Sequence, residues 1–192
     1  MSVRHAIALI AITAMPCALA AQHAGAAPSA PSRPREASQF DFLIGKWELQ
    51  VRVPPTSLAT RIHGMPKLVG IWTAGRALDG WGITDEMQIT DLAGNPKVMS
   101  HSVRVFDPTA GRWSVSLLDV YRSRFTSATA EWRDGQMHQT SQGTDLDGKP
   151  VVSRTRFYDI SQAGFKFQQD RSADGGKTWT EGALKIEAKR IP

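Results

Sequence analysis

GKWELQVRV, residues 45–53, decides how this chain folds. Trp47, Leu49, Val51 and Val53 alternate with Lys46, Glu48, Gln50 and Arg52. A period of two puts the first set on one face of a β-strand and the second on the other. A strand with one apolar face is stable only when another layer covers that face. Pro54 and Pro55 end the run, because proline cannot donate to a sheet ladder.

The same pattern continues toward the C-terminus. Leu78-Asp79-Gly80, Asp91 to Pro96, Asp107 to Gly111, Asp134-Gly135, Asp145 to Gly148 and Asp174 to Gly176 place Asp, Pro and Gly between segments rich in β-branched and aromatic residues, the composition of hairpin turns. No stretch beyond residue 60 has a helical apolar period. The expected fold is all-β: a single antiparallel up-and-down β-barrel of about ten strands, closed because closure removes exposed edges. Ser38 to Gly45 reads as one short helical turn ahead of the first strand, with Ser38 and Asp41 in an S-x-x-D cap. Residues 54–67 carry no readable pattern.

SADGGKTW, residues 172–179, has the S-x-D-x-G-x-T-W spacing of the Asp-box turns found in β-propellers. A propeller repeats blades of roughly 40 to 50 residues, and this motif occurs once in 192 residues. It is therefore read as the turn of the last hairpin. Its glycines permit positive φ, Asp174 accepts backbone N–H groups, and Trp179 packs beneath.

The N-terminal region has a different composition. Residues 1–20 show a secretory signal peptide: Arg4 and His5, an apolar run from Ala6 to Ala14, and Ala18-Leu19-Ala20 as the cleavage site. The run is far shorter than the roughly 20 residues of a spanning helix, so no stable membrane insertion is expected. The protein is expected in the periplasm or secreted, after cleavage near Ala20. Residues 21–37, rich in Ala and Pro, read as a disordered linker, and residues 38–192 as the barrel domain. The single cysteine, Cys17, leaves with the leader, which excludes disulfides, thiol nucleophiles and thiolate metal sites. The formal charge of +5 comes from basic residues scattered singly, unlike the stripe of a nucleic-acid binder, so no nucleic-acid partner is expected.

Phe40-Asp41-Phe42-Leu43-Ile44-Gly45-Lys46-Trp47 ahead of an antiparallel meander resembles the calycin, or lipocalin-like, group. More narrowly it resembles a bacterial family of calycin-like domains of unknown function, with D-F-L-x-G-x-W at the start, L-D-G at Leu78-Asp79-Gly80, F-D-P-x-x-G-x-W at Phe106 to Trp113, and S-x-D-G-G-x-T-W at the end. The resemblance spans residues 40–190. It implies a barrel with an internal cavity, one end plugged by Trp47, and a small bound molecule. The sequence departs from the haem-binding branch's G-x-W-x-G-x-G, having Glu48 to Val51 after Trp47, so no cofactor is expected.

Chemistry-bearing motifs are few. His23, His63, His101 and His138 show no metal-ligand spacing, and there is no G-x-S-x-G. Asp85 and Glu86 are neighbours on a strand and point to opposite faces. His101 shares a face with Met99, Val103 and Val105, as a core histidine or a polar group in the cavity.

The strand MHQTSQGT, residues 137–144, is polar on both faces: His138, Thr140, Gln142 and Thr144 on one, Met137, Gln139, Ser141 and Gly143 on the other. In the next strand Val152, Arg154, Arg156 and Tyr158 share a face. A barrel turns one face of every strand inward, and a buried polar group must be bonded, hydrated or liganded, so the cavity is expected to be partly polar. The expected function is binding of a small hydrophobic or amphiphilic molecule in that cavity. His101, His138, Arg154, Arg156 and Tyr158 are the polar candidates, and Trp72, Trp132 and Phe167 the apolar walls. The alternatives are a small-molecule enzyme with His101 or His138 as general base, and an envelope interaction module. A homodimer is also compatible with the sequence.

Overall fold

The computed structural model describes residues 32–55, 65, 67–145 and 147–192. The expected signal peptide, most of the expected linker, His23, His63 and the centre of the patternless 54–67 stretch lie outside the described residues.

Ten strands form one closed barrel: β1 (Gly45–Arg52), β2 (Leu68–Ala77), β3 (Gly82–Asp91), β4 (Pro96–Asp107), β5 (Arg112–Asp119), β6 (Arg124–Arg133), β7 (Gln136–Thr144), β8 (Pro150–Tyr158), β9 (Gly164–Ser172) and β10 (Thr180–Ile191). Each pairs antiparallel with the next, and β10 returns to β1 with Leu49 opposite Ala188. The turn chemistry is as the sequence requires. Asp134 and Gly135 both have positive φ, 51° and 72°, the two-residue mirror turn whose twist matches its flanking strands.

The end of the barrel where β1 starts is closed by two 3-10 turns, Arg35–Ser38 and Asp41–Leu43. Order thus reaches back before Ser38, and Ala37 is buried in the core. Phe40 packs edge-on to Trp113 at 4.9 Å and to Phe157 at 5.9 Å. Trp47 is fully buried, edge-on to Phe165 at 5.0 Å, and its Nε1 donates to the Leu43 carbonyl at 2.7 Å. From the other side the Arg190 guanidinium lies 4.1 Å from the Trp47 ring centroid and donates to the Ile44 carbonyl at 3.0 Å. The Gly-x-Trp at the head of β1 thus holds the plug to the barrel on both sides of one indole.

Above this aromatic floor the interior turns polar. Asp85 of β3 and Arg104 of β4, each 3% exposed, form a buried ion pair, and Trp72 of β2 donates its Nε1 to Asp85 Oδ1 at 2.8 Å. Burial pushes Arg104 down to about 9, still high enough to stay cationic at neutral pH. Glu86, next to Asp85, is on the outer face, as strand geometry demands.

The last hairpin turn has the construction read from its sequence. Asp174 Oδ1 accepts the backbone N–H groups of Lys177 at 3.0 Å and Thr178 at 2.9 Å, Oδ2 accepts the Thr178 hydroxyl at 2.6 Å, and Trp179 Nε1 donates to the Gly176 carbonyl at 3.0 Å. Gly175 and Gly176 have positive φ. The Thr178 bonds, with those from Ser172 and Lys177, hold the Asp174 carboxyl far below the ordinary carboxylate range. Its folded value is depressed, so its contribution to stability is complete above the unfolded value near 4 and declines as pH falls through the folded one. Asp174→Ala is therefore expected to lower Tm at pH 7 and to leave a smaller drop in Tm on acidification than in the parent. An unchanged neutral Tm would show that the glycines alone form the turn.

Candidate ligand site in the barrel mouth

The strand registers decide which face of each strand lines the interior. Phe157 of β8 lies opposite Met137 of β7 and Phe167 of β9, and all three face inward among apolar neighbours. By alternation, Gln139, Ser141 and Gly143 on β7, Ser153 and Thr155 on β8, and Gln169 and Arg171 on β9 share the inner face toward the end opposite the plug. There all of these except Thr155 line a cavity of about 590 Å³ that opens to solvent. Its apolar wall is Val98, Leu117, Ala128 and Val151.

The electrostatics of this mouth are uneven. Arg122 is paired to Asp119 at 2.6 Å, and Arg124 donates to the Thr144 and Asp145 carbonyls, both at 2.9 Å. Arg171 has no hydrogen bond or ion pair among the described residues. Gln139 Oε1 is buried with no hydrogen-bond partner among the described residues. A buried acceptor left unpaired costs about 1–3 kcal/mol, and the residue that carries it lines a cavity large enough for a small molecule.

Several expected site residues lie elsewhere. His138, Arg154, Arg156 and Tyr158 were expected to face the cavity, and they face outward. The registers that bring Met137 and Phe157 into the core turn their neighbours to solvent. His101 is also outward, about two-fifths exposed and 3.6 Å from Glu86. Val103 and Val105 share its outer face, while Ser100, Ser102, Arg104 and Phe106 point inward. The apolar alternation of β4 misled because its inner face carries the ion-paired Arg104. A general base at His101 or His138 inside the cavity is thereby removed.

Trp72 and Phe167 do face inward, but they belong to the packed floor, 6.0 Å apart, rather than to the mouth. Trp132 sits at the plugged end against Phe42. The sequence signal for the true lining was present. On β8, Val151, Ser153, Thr155 and Phe157 are small or apolar, whereas the alternate face carries both arginines.

A closed ten-strand up-and-down barrel, with two short 3-10 turns before β1, an aromatic plug at one end and a solvent-open polar mouth at the other, fits a calycin-like barrel. No protein-family model matches this chain, and no curated protein matches it. A solved structure described as EF1p2_mFAP2b bound to DFHBI matches at 12% identity, covering 81% of this chain and 98% of that chain, with a TM-score of 0.41. Among the described residues no group of three or more His, Cys, Asp or Glu is placed to hold a metal ion, and no helix is long and apolar enough to cross a membrane.

Proposed function

We propose that this protein is an exported, non-catalytic barrel that binds a small amphiphilic molecule in its mouth. Its membership of the calycin-like family of unknown function is part of the same reading. The ligand's apolar portion rests on Val98, Leu117, Ala128 and Val151. Its polar portion donates to Gln139 Oε1, and an anionic group meets Arg171. The observation that carries this reading is a 590 Å³ cavity lined by Gln139, whose buried Oε1 has no hydrogen-bond partner among the described residues.

Native mass spectrometry of protein purified from a periplasmic fraction tests both halves. The intact mass reports whether residues 1–20 have been removed, and a retained small molecule reports the cavity. A bare protein that also fails to bind an apolar fluorophore would remove the binding assignment.

Two variants sharpen the test. Arg171→Gln is expected to weaken an anionic amphiphile by about tenfold, the loss of one charge-assisted hydrogen bond. Gln139→Leu should act in opposite directions: it stabilises the ligand-free protein by about 1 kcal/mol, because an unsatisfied acceptor leaves the interior, and it weakens ligand binding. Urea denaturation beside fluorophore displacement reads both. Destabilisation by Gln139→Leu would mean that its amide is structural.

A further inference from the structure

A second concavity lies on the outside of the barrel. The outward side chains of β7, β8 and β9, with Arg133 of β6 and Glu181 of β10, enclose a groove of about 390 Å³. His138 lies across the ladder from Arg156, and Arg133 lies one diagonal step away on the other flank, its own partner being Gln136.

The arginines here are not equivalent. Arg154 is neutralised: its Nε donates to Asp170 Oδ2 at 2.8 Å, Glu181 is 3.6 Å away, and its guanidinium lies 4.3 Å from the Trp179 ring centroid. Arg156 has only a 3.4 Å contact with Gln168 Oε1 and lies over the Tyr158 ring at 4.9 Å. The Arg133 guanidinium has no hydrogen bond or ion pair among the described residues. Two guanidiniums without an ion pair among the described residues therefore flank one imidazole in a concave site, with Glu131 directly across the ladder from that imidazole.

The SADGGKTW turn supports the wall of this groove. It fixes Trp179, which carries Arg154, and Arg154 holds Asp170. Asp170 in turn accepts Gln168 Nε2 at 2.8 Å and the Gly182 backbone N–H at 2.8 Å. Gln168 then meets Arg156. A chain of contacts thus runs from the Asp-box-like turn to Arg154 and Arg156.

We propose that this groove is a binding site for a phosphate group, free or as a small phosphate monoester, held by Arg133, His138 and Arg156. Donors on three separate side chains suit the three terminal oxygens of a tetrahedral oxyanion, whereas a carboxylate offers two. The groove is larger than one phosphate, and Thr140, Gln168 and Glu181 on its lining offer hydrogen bonds to hydroxyls of an ester.

The charged groups around His138 are Arg133, Asp134 and Glu131 from β6 and its turn and Arg156 from β8, with Arg154, Asp170 and Glu181 completing the lining. Burial, then Arg133, holds His138 below its ordinary value. A bound dianion works in the opposite direction and raises it.

The test is calorimetric titration of the folded protein at pH 7 with inorganic phosphate and with glycerol 3-phosphate, beside an NMR pH titration of the His138 imidazole. Saturable binding is expected, tighter for the ester, with the His138 pKa raised in the complex. Arg133→Gln and Arg156→Gln, both on the exposed face and checked for unchanged Tm, should each weaken it about tenfold or more. Tighter binding of free phosphate supports the same site with inorganic phosphate as its ligand. Three results overturn the proposal: no saturable binding, an equal response to potassium chloride at matched ionic strength, or binding that Arg171→Gln weakens and Arg156→Gln does not. The last would place the phosphate in the mouth. The groove does not depend on the mouth having a ligand, and an empty mouth leaves this test intact.

Discussion

Arg104→Ala is expected to lower the unfolding free energy by about 3–5 kcal/mol, the cost of removing one member of a buried ion pair and leaving the other charge in the interior. Asp85 and Arg104 are almost completely enclosed, and Trp72 Nε1 depends on the same carboxylate. Removing the guanidinium strands Asp85 beside an indole that donates only one hydrogen bond. The Arg104→Met variant should be similarly destabilised. Combining it with Asp85→Asn should recover most of the loss, because the amide oxygen still accepts Trp72 Nε1 and no unpaired charge remains. Urea denaturation of the parent, Arg104→Met, Asp85→Asn and the double variant, read as a double-mutant cycle, gives the coupling. A loss below about 1 kcal/mol for Arg104→Ala would mean that water reaches Asp85 and that the barrel's middle is wetter than its geometry shows.

Trp47→Ala is expected to cost about 3–5 kcal/mol, the range for removing a large aromatic side chain from a packed core. The indole joins three parts of the molecule: it meets Phe165 of β9, hydrogen-bonds the 3-10 turn at Leu43 and carries Arg190 of β10. Its loss leaves a cavity at the plugged end and frees the turn. Trp47→Phe should cost less, retaining most of the apolar contact while giving up the bond to Leu43. Thermal unfolding ranks the two, and equal losses would place the whole effect in the hydrogen bond. The open mouth is at the opposite end, so fluorophore binding by the folded fraction should survive either change. Loss of binding at low temperature would show that the plug also shapes the mouth.

These two sites show how far the sequence could be read. The clean alternation of Trp47, Leu49 and Val51 revealed β1 and its buried face without help from any other strand. The Asp-Gly and Gly-rich turns marked the hairpins, because few residues other than glycine tolerate positive φ. Local chemistry also carried the SADGGKTW turn, down to the carboxylate that caps it. β7 was different. MHQTSQGT is polar on both faces, so nothing within the strand says which face turns inward. A shift of one residue exchanges the entire set. His138 was assigned to the wrong side for that reason, and Arg154, Arg156 and Tyr158 went with it. The buried Arg104 hid in the same way, since its stability inside the barrel depends on Asp85, 19 positions away and across a ladder.

What the sequence determined by itself was the class and the count: an all-β meander with its turns and an aromatic lead-in to β1, all set by interactions among residues close in the chain. Only the tertiary structure decided which polar side chains line the mouth and which form the outer groove. In a barrel the inner face of each strand is fixed by its register with both neighbours, and that register is settled by long-range packing such as Phe157 against Met137 and Phe167. The candidate sites lie on the faces, so they became legible only when the barrel closed.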